Sequence, residues 1–299
     1  MFCACTIEKD IRSRHDRMIF LCFMATKIYL CRLFMIHSIF FDIDGTLVSF
    51  RTHTVPPSAA QSIRECQARG IRIFLCTGRP KILVQDFSLP QFGSLSFDGL
   101  IAQNGCYCAT GDGQVIHQSI IDPRDIRALV NYLNDHEPFP VSLMTSTRVY
   151  INYIDRKVEN LASFLGVGLP QIRPLETVCE DVMQVNIYGD IQLEAKVMKE
   201  VFTRCESSRW HPDFADVTPQ GNSKRTGIEK ILQHYGLERK GTMAFGDGGN
   251  DIPMLEYVEV GVAMGNAHDP RVAEAADHVA PPLDDDGIAR FLNSFFLHL

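Results

Sequence analysis

The chain has no dense block of lysine and arginine. Its 29 basic residues are scattered among 36 acidic ones, and the net charge is −7. A protein that tracks a phosphate backbone needs such a block, so nucleic acid is not an expected partner. The chain also has no apolar run of the roughly 18 uninterrupted residues that a spanning helix requires. Its nearest approach, Met18 to Ala25, is soon broken by Lys27 and Arg32, and no membrane partner is expected. The ten cysteines include no C-x-x-C pair; Cys3-Ala4-Cys5 and Cys106-Tyr107-Cys108 are C-x-C pairs and the rest are isolated. That spacing argues against a zinc site and fits free thiols in a reducing cytoplasm. Cys76 lies at the end of an apolar run and reads as a small buried hydrophobe rather than a nucleophile. There is one tryptophan, Trp210. It reads as packing, with a platform for a sugar ring as the alternative.

The 299 residues are 45% hydrophobic and 22% charged, which describes an ordinary globular protein with room for about two domains. The most informative stretch is Ile39-Phe40-Phe41-Asp42-Ile43-Asp44-Gly45-Thr46. The apolar run from Met35 to Phe41 suits a strand covered on both faces of a parallel sheet. Gly45 permits a sharp exit. Ligands of open α/β sheets bind beyond the carboxyl ends of the strands, which is where Asp42 and Asp44 fall. Alternation along an extended backbone points both carboxylates to one side, where they repel unless a proton or cation intervenes. A hard divalent ion, Mg²⁺, is the economical solution. A bare Asp-x-Asp would equally serve as an acidic turn capping a helix.

Three later segments repeat the pattern of a buried strand leading to polar residues. The strand Ile71–Cys76 ends in Thr77-Gly78-Arg79, where a hydroxyl, free amides and a following helix would cradle phosphate oxygens. Arg79 stays unassigned. Leu100-Ile101-Ala102 leads to Gln103-Asn104-Gly105. Ser223 reads as the N-cap of a helix running through Ile228, Ile231 and Leu232 to Gly236, which puts Lys224 in the first turn. A cation there opposes the helix dipole, so Lys224 needs a partner. Thr242–Phe245 delivers Gly246-Asp247-Gly248-Gly249-Asn250-Asp251; an EF-hand loop is the competitor, but its downstream acid is missing. Val260–Met264 and His278–Ala280 supply the last strands, with Asp269-Pro270 opening a helix between them. The run Asp284-Asp285-Asp286 reads as capping and solvation. From about Cys106 to Asp216 the pattern changes to short strands, such as Val149–Tyr153 and Met183–Ile187, mixed with helices over Pro123–Asn134 and Gln192–Cys205.

These motifs in this order resemble the haloacid dehalogenase-like (HAD) phosphohydrolase superfamily, in its Cof-type branch of small-molecule phosphatases. The resemblance runs from about Met35 to near the C-terminus. It implies an α/β fold: a doubly wound, mostly parallel Rossmann-like core over 35–117 and 217–299, with an inserted α+β cap of C2 type over 118–216. Residues 1–34 read as an upstream extension, with a targeting segment as the alternative. The implied activity is Mg²⁺-dependent hydrolysis of a small phosphorylated metabolite, a sugar phosphate or similar phosphomonoester, through an aspartyl-phosphate. By resemblance Asp42 is the nucleophile and Asp44 the acid–base group. Asp42, Asp247 and the backbone carbonyl of Asp44 hold Mg²⁺; Thr77, Gly78, Lys224 and Asn250 bind the phosphoryl oxygens; Asp251 orients Lys224 or the metal waters. Arg225 stands where the family has a small residue, and Gly248 and Gly249 stand where bulkier ones are usual. A phosphotransferase or phosphomutase on the same fold is one alternative. A non-catalytic binder of a phosphometabolite is another, and a response-regulator receiver fails on length and on the inserted cap.

Overall fold

The computed structural model describes residues 36–84, 90–92 and 94–297, with the side chains of Pro90, Trp210 and Leu297 left aside. The extension 1–34, the start of the first expected strand at Met35 and the role of the Trp210 ring therefore lie outside the described residues.

In chain order the elements are β1 (Ser38–Phe41), α1 (Pro57–Ala68), β2 (Arg72–Cys76), β3 (Gly99–Ala102), β4 (Tyr107–Thr110) and β5 (Val115–Gln118). There follow α2 (Pro123–Asp135), β6 (Val141–Met144), β7 (Val149–Ile151), α3 (Arg156–Leu165), β8 (Gln171–Ile172), β9 (Gln184–Tyr188), α4 (Ile191–Glu200), β10 (Cys205–His211) and β11 (Phe214–Pro219). The chain ends with α5 (Lys224–Tyr235), β12 (Thr242–Gly246), α6 (Ile252–Tyr257), β13 (Val260–Met264), α7 (Pro270–Glu274), β14 (His278–Ala280) and α8 (Gly287–Leu297).

These strands form two sheets. The larger has the order β14-β13-β12-β1-β2-β3-β4-β5, parallel from β14 to β3 and antiparallel at β3–β4 and β4–β5. The smaller has the order β10-β11-β9-β6-β7-β8 and is antiparallel except for β7–β8. The α/β class, the mostly parallel doubly wound sheet and the α+β insertion expected from the sequence are all present.

Alternation along the central strands explains why the large sheet is covered on both faces. Ile39, Phe41, Ile73, Leu75, Met243 and Phe245 point into one apolar cluster with α1 and α8. Phe40, Phe74, Cys76 and Ala244 point into the other with α5, α6 and α7. Aromatic pairs lock the register across strands: Phe40 stacks on Phe74 and Phe41 on Phe245, both with ring centroids 4.9 Å apart. From β1 the chain winds outward through β2 and β3, then returns to build β12, β13 and β14 on the other side. The winding reverses beside β1, and the crevice at such a reversal is where an open α/β sheet binds its ligand.

Some boundaries differ from the sequence reading. The expected helix to Cys205 ends at Glu200, because β10 begins at Cys205 and pairs with β11 as an edge strand. Its sequence, Cys-Glu-Ser-Ser-Arg, has little apolar signal to announce a strand. The helix expected after Thr77-Gly78-Arg79 is, among the described residues, one 3-10 turn over Lys81–Leu83. Pro80 biases its predecessor away from the α region, so an immediate helix start is disfavoured. The acidic run is partly engaged: Asp284 accepts from Ser49 Oγ at 2.7 Å and Asp286 accepts from Ser58 Oγ.

Phe74 is fully buried, stacks on Phe40 and meets Tyr235 edge-on. Phe74→Ala is expected to lower stability by about 3–5 kcal/mol, through lost transfer energy and a cavity. Chemical denaturation would check this, and a loss below about 1 kcal/mol would contradict the packing described.

Candidate active site

The carboxyl ends of β1, β2 and β12 converge on one cavity of about 870 Å³. Asp42, Asp44, Thr77, Gly78, Asp247 and Asn250 line it. Of the eight residues singled out in the sequence, only Lys224 and Asp251 do not; they lie behind Asp42, each with no exposed surface.

Lys224 begins α5, whose N-cap Ser223 forms a reciprocal capping box with Thr226 and whose C-cap is the left-handed Gly236, as the sequence suggests. Its expected partners are present. Nζ lies 2.5 Å from Asp42 Oδ1 and 2.5 Å from Asp251 Oδ1. Burial works against its charge, but the two flanking carboxylates outweigh that and raise its pKa. Lys224 is therefore a permanent ammonium.

Asp251 uses both of its oxygens. Oδ1 meets Lys224, while Oδ2 accepts from the backbone N–H of Asp247 at 3.0 Å and of Gly248 at 2.8 Å. One side chain thus folds the loop after β12 and orients the lysine. Asp247 is held in turn by Thr46, whose hydroxyl donates to Oδ1 at 2.8 Å, and by the amide of Asn266, 3.4 Å from Oδ2. The same amide donates to the Gly45 carbonyl at 2.8 Å. Gly45 has φ +78°, and a Cβ there would collide with the Asp247 carboxylate and the Phe50 ring, so this turn requires glycine.

Carboxylate oxygens of Asp42, Asp247 and Asp251 lie within 4.8 Å of one another. Burial and the neighbouring Asp251 push the Asp42 carboxyl above the ordinary range, with Lys224 pulling the other way. Burial, then Asp42 and Asp251, do the same to Asp247. Asp42 and Asp247 line the cavity and Asp251 does not, so those two are the oxygen donors the cavity offers a cation. Crowded buried carboxylates of this kind suit a hard divalent ion, whose charge offsets their repulsion.

On the other side of the cavity, Thr77 Oγ1 accepts from the Arg79 amide at 3.0 Å, leaving its own hydroxyl proton to donate. Asn250 Nδ2 donates to Asn104 Oδ1 at 3.0 Å, and Asn104 Nδ2 donates to Asp216 Oδ2 at 2.8 Å. Gln184 of β9 donates to Asp216 Oδ1 at 3.1 Å and to the Gly78 carbonyl at 3.3 Å. This polar chain links the two sheets behind Thr77 and Gly78. Gln103 and Asn104 both have φ +52°, a strain consistent with the tight placing of the Asn104 amide.

Sequence reasoning missed Thr46, Asn104, Asn266 and Asp216, and left Arg79 open. Thr46 and Asn104 sit inside motifs already singled out. Asn266 and Asp216 give no signal of their own, because only folding brings them to the site.

The family described as haloacid dehalogenase-like hydrolase matches residues 39–292. The chain belongs to that family, in its Cof-type branch, and is by class a phosphoric monoester hydrolase. YkrA of Bacillus subtilis (strain 168), which carries the name of a phosphatase, is 34% identical over 253 residues, spanning 84% of this chain and 94% of the relative. The pyridoxal phosphate phosphatase YbhA of Escherichia coli (strain K12) is 30% identical over 275 residues, 86% of this chain and 97% of its own length. Among solved structures, the HAD subclass IIB sugar phosphatase BT4131 superposes with a TM-score of 0.78 at 36% identity, covering 86% of this chain and 98% of that one.

Burial pushes the Asp216 carboxyl up to about 7, against the pull of Asn104 and Lys224. The folded protein therefore holds a proton here that the unfolded chain releases from about pH 4 upward. The stability this contributes is complete below about pH 4 and is lost as pH rises to about 7. Asp216→Asn is expected to lose less thermal stability than the native chain between about pH 5 and pH 8, and parallel melting curves would contradict the assignment.

Proposed function

We propose that the chain is an Mg²⁺-dependent phosphatase of small phosphorylated metabolites that works through an aspartyl-phosphate. One observation carries the reading. Asp42, at the carboxyl end of the central strand, faces the cavity in contact with the buried Lys224 ammonium, while Asp44 and Asp247 also line it.

A carboxylate oxygen of Asp42 attacks phosphorus, forming a P–O bond as the bond to the ester oxygen breaks. Asp44, protonated in the enzyme–substrate complex, gives that proton to the departing oxygen and becomes again the carboxylate that Arg79 grips in the free protein. That carboxylate then takes a proton from water as the water oxygen attacks phosphorus; inorganic phosphate leaves and Asp42 is restored. Thr77, Gly78 and Asn250, which line the cavity, are assigned to the phosphoryl oxygens, over which transition-state charge is spread, while Lys224, expected among them from the sequence, reaches the reaction through Asp42. Lys224 acts from behind Asp42, and Asp251 keeps it there. Mg²⁺ held by Asp42, Asp247 and the Asp44 carbonyl would neutralise charge between nucleophile and phosphate. The donor set described above supports this.

The leaving group is assigned to the space between the sheets. The cavity falls in the range of small-molecule sites, and α3, the segment 167–171 that follows it and residues of β6, β7, β9, β10 and β11 form its roof. A sugar phosphate or similar phosphomonoester fits that size; BT4131 and YbhA by name act on such esters. The same reading divides the chain into a catalytic core over 35–117 and 217–299 and a cap over 118–216. The two sheets support such a division with later bounds, since β5 carries the large sheet to Gln118 and β11 carries the small one to Pro219. A cytoplasmic location is part of the proposal, in keeping with the six free cysteines among the described residues.

Phosphate release from a panel of phosphorylated metabolites tests the reading. Asp42→Asn keeps the shape and removes the nucleophilic charge, so kcat is expected to fall by at least about 10³-fold. Chelation of divalent ions should abolish release, and added Mg²⁺ should restore it. Metal-independent release, or an active Asp42→Asn, would refute the mechanism.

A further inference from the structure

Arg79 follows the phosphate-cradling Thr77 and Gly78, yet its side chain is committed elsewhere. It is only 8% exposed. Nε donates to Asp44 Oδ2 at 2.7 Å and Nη2 to Asp44 Oδ1 at 2.5 Å, so the guanidinium fork grips both oxygens of the carboxylate. Nη2 also donates to the Leu165 carbonyl at 3.2 Å. Leu165 is the last residue of α3, a helix of the small-sheet layer, and a helix C-terminus favours a cation.

That end of α3 is seated on the core at two further points. Phe164 stacks on Phe50, with ring centroids 4.5 Å apart. At the left-handed C-cap Gly166, a Cβ would stand 2.7 Å from His53 Nδ1, so the turn lies directly against this core loop. Arg79 is thus bonded at once to the acid–base carboxyl and to the part of the cap that closes on it.

We propose that Arg79 is a positioning residue for Asp44, which ties the orientation of that carboxyl to the seating of the α3 C-terminal turn. The inference rests on the assignment of Asp44 as proton donor to the leaving group. A lone aspartate would sample several rotamers. A two-pronged contact to a planar guanidinium, itself anchored on the cap, holds one of them, and lysine cannot reproduce that fork. Orientation at the moment of proton transfer then depends on the cap being in place.

The test uses single-turnover release of the phenol from p-nitrophenyl phosphate and from phenyl phosphate. The two esters are similar in shape but differ in how much their leaving groups need a proton. Asp44→Asn sets the reference pattern: a large loss with phenyl phosphate and a small one with p-nitrophenyl phosphate. Arg79→Lys, which keeps the charge, is expected to follow it, with about 10²-fold loss on phenyl phosphate and under about threefold on p-nitrophenyl phosphate. Equal losses on both esters would assign Arg79 to phosphate binding or to the fold, and no loss on either would remove it from the mechanism; both outcomes overturn the proposal. If Asp44→Asn does not discriminate between the esters, the proton-donor assignment has failed and the proposal falls with it. A second readout is independent of catalysis. The amides of Gly166 and Val167, which close the α3 C-terminal turn onto Ser163 and Ala162, should exchange with solvent about tenfold faster in Arg79→Lys, while those of β9 stay unchanged. Unchanged exchange at Gly166 and Val167 would refute the tie to the cap.

Discussion

The structure depends on one buried ammonium held between two carboxylates. Lys224 has no exposed surface, and the N-terminal position on α5 sets the helix dipole against it. A lone charge in that place would be untenable. The fold makes it tenable by bringing Asp42 from β1 and Asp251 from the loop after β12 to 2.5 Å on either side. Three segments distant in sequence must therefore meet, and the meeting point is the site. The trio keeps one excess negative charge, and Asp247 nearby adds another. That imbalance is what a divalent cation can offset.

Around this trio the loops are shaped by side chains that bond to backbone. Asp251 ties the amides of Asp247 and Gly248, and Asn266 ties the Gly45 carbonyl. Each contact turns a flexible strand end into a fixed donor or acceptor. Precision of this sort matters because displacement of phosphorus needs aligned groups more than it needs strong ones. The glycine at 45 serves the same end, since a larger residue would occupy the place of the Asp247 carboxylate.

The second sheet does two things that the first cannot. It roofs the cavity over the ends of β1, β2 and β12. It also reaches the strand ends of the first sheet with polar contacts, from Gln184 to the Gly78 carbonyl, from Asp216 to the Asn104 amide and from the end of α3 to Arg79. The roof and the strand ends beneath it are therefore physically joined.

Much of this was legible in the residues. Apolar runs ending in Asp42, Thr77 and Asp247 announced buried strands that deliver chemistry at their carboxyl ends, because a two-face-covered strand leaves few other readings. Ser223 and Gly236 bounded a helix whose first-turn lysine was misplaced by the dipole, and the need for a partner followed from electrostatics alone. The edge strand β10 was not legible, since an edge strand with a solvated face carries little apolar pattern. Nor were Asn266, Asp216 and the double attachment of Arg79, for these depend on distances between segments far apart in the chain. Local periodicity and capping are properties of neighbouring residues, and the sequence by itself determined them here: the strand ends, the helix bounds, and the identity of the acids and the lysine. Which oxygen each donor reaches, and which part of the roof Arg79 grips, was decided only when tertiary packing set those distances.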